Sequence, residues 1–223
     1  GFIIISKSGS TLETLSQMSS IIEIFKSQNI TDKLSQNFVV ITENKDSPLK
    51  RIANKLSCKT LDHENDIGGR YSVFSNVGLF PAFITGLDIL KIREGAMSLI
   101  EQTNDNSFNE HLIGASIAIY LQSSKSINTN VLITYTDALY YFGKWYLQLW
   151  AESIGKKGKG ITPIHSIGTT DQHSQLQLYI DGPKDKFFSL ITTDQRNQGL
   201  KMNEKILKEN EVDFLAGKTM GDL

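Results

Sequence analysis

One cysteine, four prolines and almost no net charge set the first limits on this chain. Cys58 alone cannot close an internal disulfide, which excludes a cross-linked secreted scaffold and makes the reducing cytoplasm the expected setting. A formal net charge of −1 over 223 residues offers no long-range field for nucleic acid or an anionic membrane surface. Any anion must therefore be held by local groups. His63, His111, His165 and His173 share no ligand spacing with one another or with Cys58, so no metal cluster is indicated. The longest apolar stretch, VGLFPAFITGLDIL, is broken by Pro81 and Asp88 and reads as a buried helical region, not a membrane span. Low-complexity segments are missing too. What is left, 39% hydrophobic and 21% charged residues, is the balance of an ordinary soluble globular protein with ample material for a core.

The runs FIIIS, FVVITE and NVLITY are rich in aromatic and β-branched residues and alternate with helical patterns. That alternation predicts an α/β fold with mainly parallel sheets. Amphipathic helices are predicted over 11–27, 107–123 and 137–155, and a further one opens at Ser47-Pro48, an N-cap followed by proline at the first helical position. A boundary between two units is expected at 88–106, where KIREG and EQTNDNSFNE are strongly polar, giving units of 1–90 and 91–223. The strand, polar turn and helix of FIIISKSGSTLETL are echoed in VLITYTDALYYF, as in a duplicated unit. The chain opens without Met and enters a strand after Gly1, so further residues are expected upstream.

Four segments offer chemistry. In FIIISKSGSTLETL a strand expected to be buried runs into a cluster of hydroxyls. Ser10-Thr11-Leu12-Glu13 fits a capping box, in which Ser10 and Glu13 satisfy helix-start amides. Ser6, Lys7, Ser8 and Thr11 exceed what capping needs, and a strand feeding a helix start through small residues also suits a phosphate. In DIGGRYS, Gly68 and Gly69 allow unusual backbone angles or close approach of a ligand, and Arg70 offers forked donors to an oxyanion. A plain turn with a surface arginine fits equally. In QLWAESIGKKGKG, Gln148 and Glu152 fall on one helix face, with Glu152 expected to be partly desolvated by Leu149, Trp150 and Ala151. The alternative is a solvated carboxylate near a helix end. In GTTDQHSQLQL a turn leads to His173, which can move protons near neutrality or serve structurally.

Taken together, SKSGSTLET, GGRYSVFSNVGL, QLWAESIGK and GTTDQHSQLQL stand in the order and separation of the glucose-6-phosphate isomerase (phosphoglucose isomerase) family of the sugar-isomerase (SIS) domain superfamily, which the chain resembles over nearly its whole length. The resemblance implies a three-layer αβα sandwich with parallel sheets in two SIS-type subdomains. It implies interconversion of glucose 6-phosphate and fructose 6-phosphate through a cis-enediol, without metal or organic cofactor. Ser6, Lys7, Ser8, Thr11 and Thr14 inherit the binding of the sugar phosphate. Glu152 inherits the base, Arg70 with Gly69 the stabilisation of enediol charge, and Gln148 a substrate contact. His173 inherits the opening of the sugar ring, supplied to the partner's site in a homodimer. The phosphate turn, Arg70 and Glu152 are thus expected to border one cavity sized for a six-carbon sugar.

The family's upstream glycine-rich motif and its catalytic lysine near the C-terminus are not found, and Lys218 does not match the surroundings of that lysine. The chain is therefore expected to be a central fragment, the later part of a first SIS domain and most of a second. SGST in the turn is closer to bacterial members than to animal ones. A non-catalytic SIS module that only binds a sugar phosphate is the rival reading, and it has no need of Glu152 and Arg70.

Overall fold

The computed structural model describes residues 1–104 and 109–223, and it divides into two compact units, Gly1–Ser116 and Ile117–Leu223. The expected helix start at 107 and the end of the polar boundary at 105–106 lie outside the described residues. In the first unit the order is β1 (Phe2–Ile5), α1 (Leu12–Ser27), α2 (Leu34–Asn37), β2 (Phe38–Thr42), α3 (Pro48–Lys55), β3 (Lys59–Asp62), α4 (Asn76–Ile84) and α5 (Ile89–Asn104). The helix α6 (Glu110–Lys125) carries the division between the units. The second unit continues with β4 (Thr129–Tyr135), α7 (Tyr140–Ile154), β5 (Thr162–Ile167), α8 (Thr170–Asp181), β6 (Lys186–Thr192) and α9 (Glu204–Glu209).

Both sheets are parallel, with strand orders β1-β2-β3 and β5-β4-β6. In the first unit, α1 and α3 cover the face that carries Phe2, Ile4, Phe38 and Val40. Met18, Phe25, Leu49 and Ala53 fill the space between, and all four are buried. The rings of Phe2 and Phe38 stack at 5.2 Å and that of Phe25 lies 5.8 Å from Phe38. Ser47 caps α3 as its sequence predicts, accepting from the Lys50 amide at 3.3 Å.

In the second unit the chain moves from β4 to β5 on one side and then back past β4 to β6. With right-handed crossovers this puts α7 and α8 on opposite faces of the sheet, and the side chains agree. On one face, Asn130 of β4 donates to the Tyr146 hydroxyl of α7 at 2.7 Å and accepts from Ser189 of β6 at 3.0 Å. On the other, Ser166 of β5 bonds Gln175 and Tyr179 of α8 at 3.0 and 3.2 Å. This is the αβα layering expected from the sequence.

Several local expectations are corrected. β1 is not fully buried: it lies at the edge of its sheet among the described strands, and Phe2 is exposed. VGLFPAFITGLDIL is helical up to Ile84 and again from Ile89, but it is not buried. α4 packs against the turn Gly69–Phe74 and against α5, which leaves Phe83, Ile84, Leu87 and Leu90 exposed. Among the described residues no helix is long and apolar enough to cross a membrane.

The α7 face shows how closely helix and sheet are fitted. A Cβ added at Gly143 would stand 2.2 Å from the His165 ring, which itself bonds the Thr134 hydroxyl at 3.0 Å. Burial, helped by the nearby Lys144, pulls the His165 pKa down, opposed by Asp171, so the ring is a neutral packing and hydrogen-bonding group. Gly143→Ala must part α7 from β5 or break the Thr134 bond. We expect a loss of about 1–3 kcal/mol in unfolding free energy, measured by denaturant titration; a neutral substitution would contradict the fitted contact.

Candidate active site

Parallel strands end together, and the first unit gathers its candidate residues where they end. β1 stops at Ile5, and the turn Ser6–Thr11 follows. Gly9 at its centre has φ +66°, and a Cβ there would lie 2.1 Å from Ser47 Oγ, so glycine is required by both conformation and contact. The Gly9 carbonyl accepts from the Leu49 amide at 2.9 Å, which pins the turn to the start of α3. The hydroxyls are knitted inward. Buried Ser6 Oγ accepts from the Gly9 amide at 3.2 Å and pairs with Thr11 Oγ1 at 2.8 Å. Ser8 Oγ accepts from the Ser10 amide at 3.2 Å and the Ser10 hydroxyl at 3.0 Å, and the Thr14 hydroxyl donates to the Ile5 carbonyl at 3.4 Å.

The expected capping box does not form. The N-cap is Thr11, not Ser10, and it makes no side-chain cap bond. The left-handed turn at Gly9 directs Ser10 back to Ser8, and the Thr11 hydroxyl is engaged with Ser6. Without a side-chain cap, the start of the 16-residue α1 keeps its positive end for another acceptor.

Lys7 leads from this turn to the next candidate. Its ammonium donates to the carbonyls of Asn65 and Ile67 at 2.9 and 2.7 Å and stands 3.4 Å from Glu43 Oε1. The loop it grips runs into Gly69 and Arg70, so the hydroxyl turn and the GGR segment meet at one edge. Gly68, at φ −63° and ψ 146°, has an ordinary extended backbone, which corrects the expectation of unusual angles. Gly69 begins a 3₁₀ turn reaching Phe74, and a Cβ on it would meet nothing within 4 Å. The partly buried Arg70 guanidinium lies 4.5 Å from the centre of the Tyr71 ring.

In the second unit Gln148 Nε2 donates to Glu152 Oε1 at 3.0 Å across one turn of α7. Both are exposed, so the expected desolvation of Glu152 is not found within this unit. Trp150 instead points to the opposite side, where its indole donates to the Ile161 carbonyl at 2.9 Å. His173 lies in the first turn of α8 and is exposed. The structure does not bring it to Glu152. α7 starts where β4 ends and delivers Glu152 near the start of β5, roughly 18 Å along the helix from Tyr140. α8 starts where β5 ends, so His173 and Glu152 belong to opposite edges of this sheet.

Two features escaped the sequence reading. Glu43, just past β2, is 6% exposed, and Lys45 and then Lys7 hold its carboxyl below the usual range. The C-terminal edge of the second sheet borders an open cleft of about 600 Å³ lined by Tyr135, Thr136, Gly168, Thr169, Thr192 and Arg196, with Arg196 forked onto Asp194 at 2.9 and 3.0 Å. The rule that parallel sheets bind at their strand carboxyl ends was the available signal for both. Cys58 is half-buried and its thiol is pushed up by desolvation, as suits a packing residue.

A hydroxyl turn at a helix start on the carboxyl edge of a parallel sheet is an arrangement at which α/β folds commonly bind small anions. A family model, Phosphoglucose isomerase, matches residues 1–218. The chain is 37% identical to the glucose-6-phosphate isomerase of Rubrobacter xylanophilus, over 99% of this chain and 51% of that protein. It is 43% identical to the glucose-6-phosphate isomerase of Methanocaldococcus jannaschii, over 84% of this chain and 46% of that protein. The crystal structure of a hypothetical protein from Thermus thermophilus matches with TM-score 0.81 and 29% identity, over 98% of this chain and 53% of that one. The chain belongs to the phosphoglucose isomerase family. It spans about half the length of the curated relatives it matches.

Glu43 gives a direct test of the ionic setting of this edge. Its folded-state pKa lies below the ordinary 4.5, so the ionised carboxylate contributes stability that is fully present above that value and is lost as pH falls through the lower folded value. Glu43→Gln should lower the unfolding temperature at pH 7, with the gap to the parent closing below about pH 4. A gap that stays constant down to about pH 3 would contradict the assignment.

Proposed function

We propose that the protein carrying this chain is an aldose-ketose isomerase of glycolysis and gluconeogenesis, interconverting D-glucose 6-phosphate and D-fructose 6-phosphate. What carries the reading is the meeting of the hydroxyl turn and the Gly69-Arg70 segment at one sheet edge in a chain of this family. The turn, with Ser6, Ser8, Thr11 and Thr14 and the uncapped start of α1, receives the phosphate, and the main chain of Lys7 belongs to the same cradle. Residues 1–90 are read as the later part of a first SIS domain and 91–223 as most of a second.

The chemistry is a redox-neutral proton shift. In the open-chain aldose the C2 proton is acidified by the C1 carbonyl. Glu152 removes it, the electron pair forms the C1–C2 double bond and the C1 oxygen takes up a proton from solvent to give the cis-enediol; the C2 hydroxyl then releases its proton and becomes the carbonyl as Glu152 returns its proton to C1. Negative charge gathers on the C1 oxygen at the moment of deprotonation and on the C2 oxygen in the return step. Arg70, beside Gly69, offers fixed cationic donors to that charge, where preorganised donors act most strongly. Gln148, bonded to Glu152 across one helical turn, orients the carboxylate and contacts the substrate.

His173 assists ring opening, and the placement of His173 and Glu152 at opposite edges of the second sheet supports its supply to the site of a partner subunit in a homodimer. The non-catalytic sugar-phosphate module is the outcome to be excluded. In the intact protein Glu152→Gln should lower kcat on the order of 10²- to 10⁴-fold with substrate still bound. Arg70→Ala should cost on the order of 10²- to 10³-fold. Unchanged interconversion in Glu152→Gln, read by a coupled assay, would sink the isomerase assignment.

A further inference from the structure

We propose that the Lys7 ammonium is the tie that fixes the Gly69–Arg70 segment against the hydroxyl turn, with the Glu43 carboxylate as its positioning residue, so that Lys7 acts on turnover and not as a side-chain ligand of the phosphate. This rests on the isomerase reading above.

The observation is a match of donors to acceptors. A lysine ammonium has three N–H donors and no acceptor. Around Lys7 Nζ stand the Asn65 carbonyl at 2.9 Å, the Ile67 carbonyl at 2.7 Å and Glu43 Oε1 at 3.4 Å. Two of the donors are taken by hydrogen bonds to carbonyls, and the ammonium is also ion-paired with the Glu43 carboxylate. The acceptors come from two separate connections, the chain just past β2 and the loop that follows β3. The main chain of Lys7 is held as well, since its carbonyl accepts from the Glu43 amide at 3.2 Å and the Thr42 hydroxyl at 3.3 Å. One residue thus joins the carboxyl ends of three strands.

Glu43 explains why the tie holds. A buried carboxylate without cations is strongly disfavoured, and a carboxylate at the edge that receives phosphate would also repel it. Lys7 and Lys45, one on each oxygen, neutralise it. Swinging Lys7 toward a bound phosphate would abandon two carbonyls and remove one of the two cations from Glu43, a cost that hydroxyls and helix-start amides avoid. Only Gly68 separates the pinned Ile67 from Gly69, and Arg70 comes next. So short a lead makes the placement of the guanidinium depend on where the Ile67 carbonyl is anchored. Serine and threonine hydroxyls with the first-turn amides of α1 are then the groups left to hold the anion.

The test compares Lys7→Met, Lys7→Arg and Glu43→Gln with the parent in the intact protein. The measurements are kcat and KM, the inhibition constant of inorganic phosphate as competing anion, and amide hydrogen exchange across residues 64–71. Lys7→Met should lose at least tenfold in kcat, keep the phosphate inhibition constant within threefold and exchange at least tenfold faster across 64–71. Lys7→Arg, whose donors reach the same acceptors, should recover most of the turnover, and Glu43→Gln should repeat the Lys7→Met pattern in weaker form. A tenfold weaker phosphate affinity with kcat within threefold of the parent would overturn the proposal and make Lys7 a phosphate ligand. Unchanged exchange across 64–71 would overturn it as well. A parent that binds inorganic phosphate without isomerising would sink the isomerase reading alone, and the exchange measurement would still decide the tie.

Discussion

Parallel strand pairing is the constraint from which the rest follows. A parallel pair cannot be closed by a tight hairpin, so each strand must return through a helix, and all strands of a sheet end at the same edge. In the first unit that edge receives the ends of β1, β2 and β3. Residues far apart in sequence become neighbours there: the Ser6–Thr11 turn, Glu43, and the loop into Gly69-Arg70. Hydrogen bonds between these segments use short-range polar groups, but the juxtaposition itself is set by the sheet. The apolar layer of Met18, Phe25, Phe38 and Leu49 beneath α1 and α3 is what makes the sheet worth forming.

How much of this was legible in the sequence depended on how local each signal was. β1, β2 and β4 announce themselves through β-branched runs, and α3 through Ser47-Pro48. β3, with the sequence KTLD, and β5, with Pro163 near its start, have no such composition. They are strands because a neighbour pairs with them, which is a tertiary effect. The capping box at Ser10 failed for a related reason. The Ser-x-x-Glu spacing is satisfied in the sequence, but Gly9 adopts a left-handed conformation against the distant Ser47, and this turns Ser10 out of reach.

The candidate site was legible where the family resemblance fixed it and where a single segment sufficed. Gln148 and Glu152 share a helix face by spacing alone, as the bond between them shows. Glu43 was invisible, because an acidic residue after a strand is ordinary until two lysines from other positions are seen to close on it. The pairing of Lys7 with Asn65 and Ile67 involves backbone carbonyls, which carry no sequence signature at all.

The buried amide of Asn130 has a last consequence for α7. Its donor side holds the Tyr146 phenol and its acceptor side the Ser189 hydroxyl, and burial pushes the phenol pKa up to about 12, so the phenol stays protonated. Sliding the helix by one turn, about 5.4 Å, would carry the Tyr146 hydroxyl away and leave the donor side of that amide without its partner, while Ser189 of β6 stays on the acceptor side. The helix therefore has one admissible setting on its sheet, chosen from below by a polar bolt. The carboxylate further along the same helix inherits its position from that bolt, whatever its own surroundings in water.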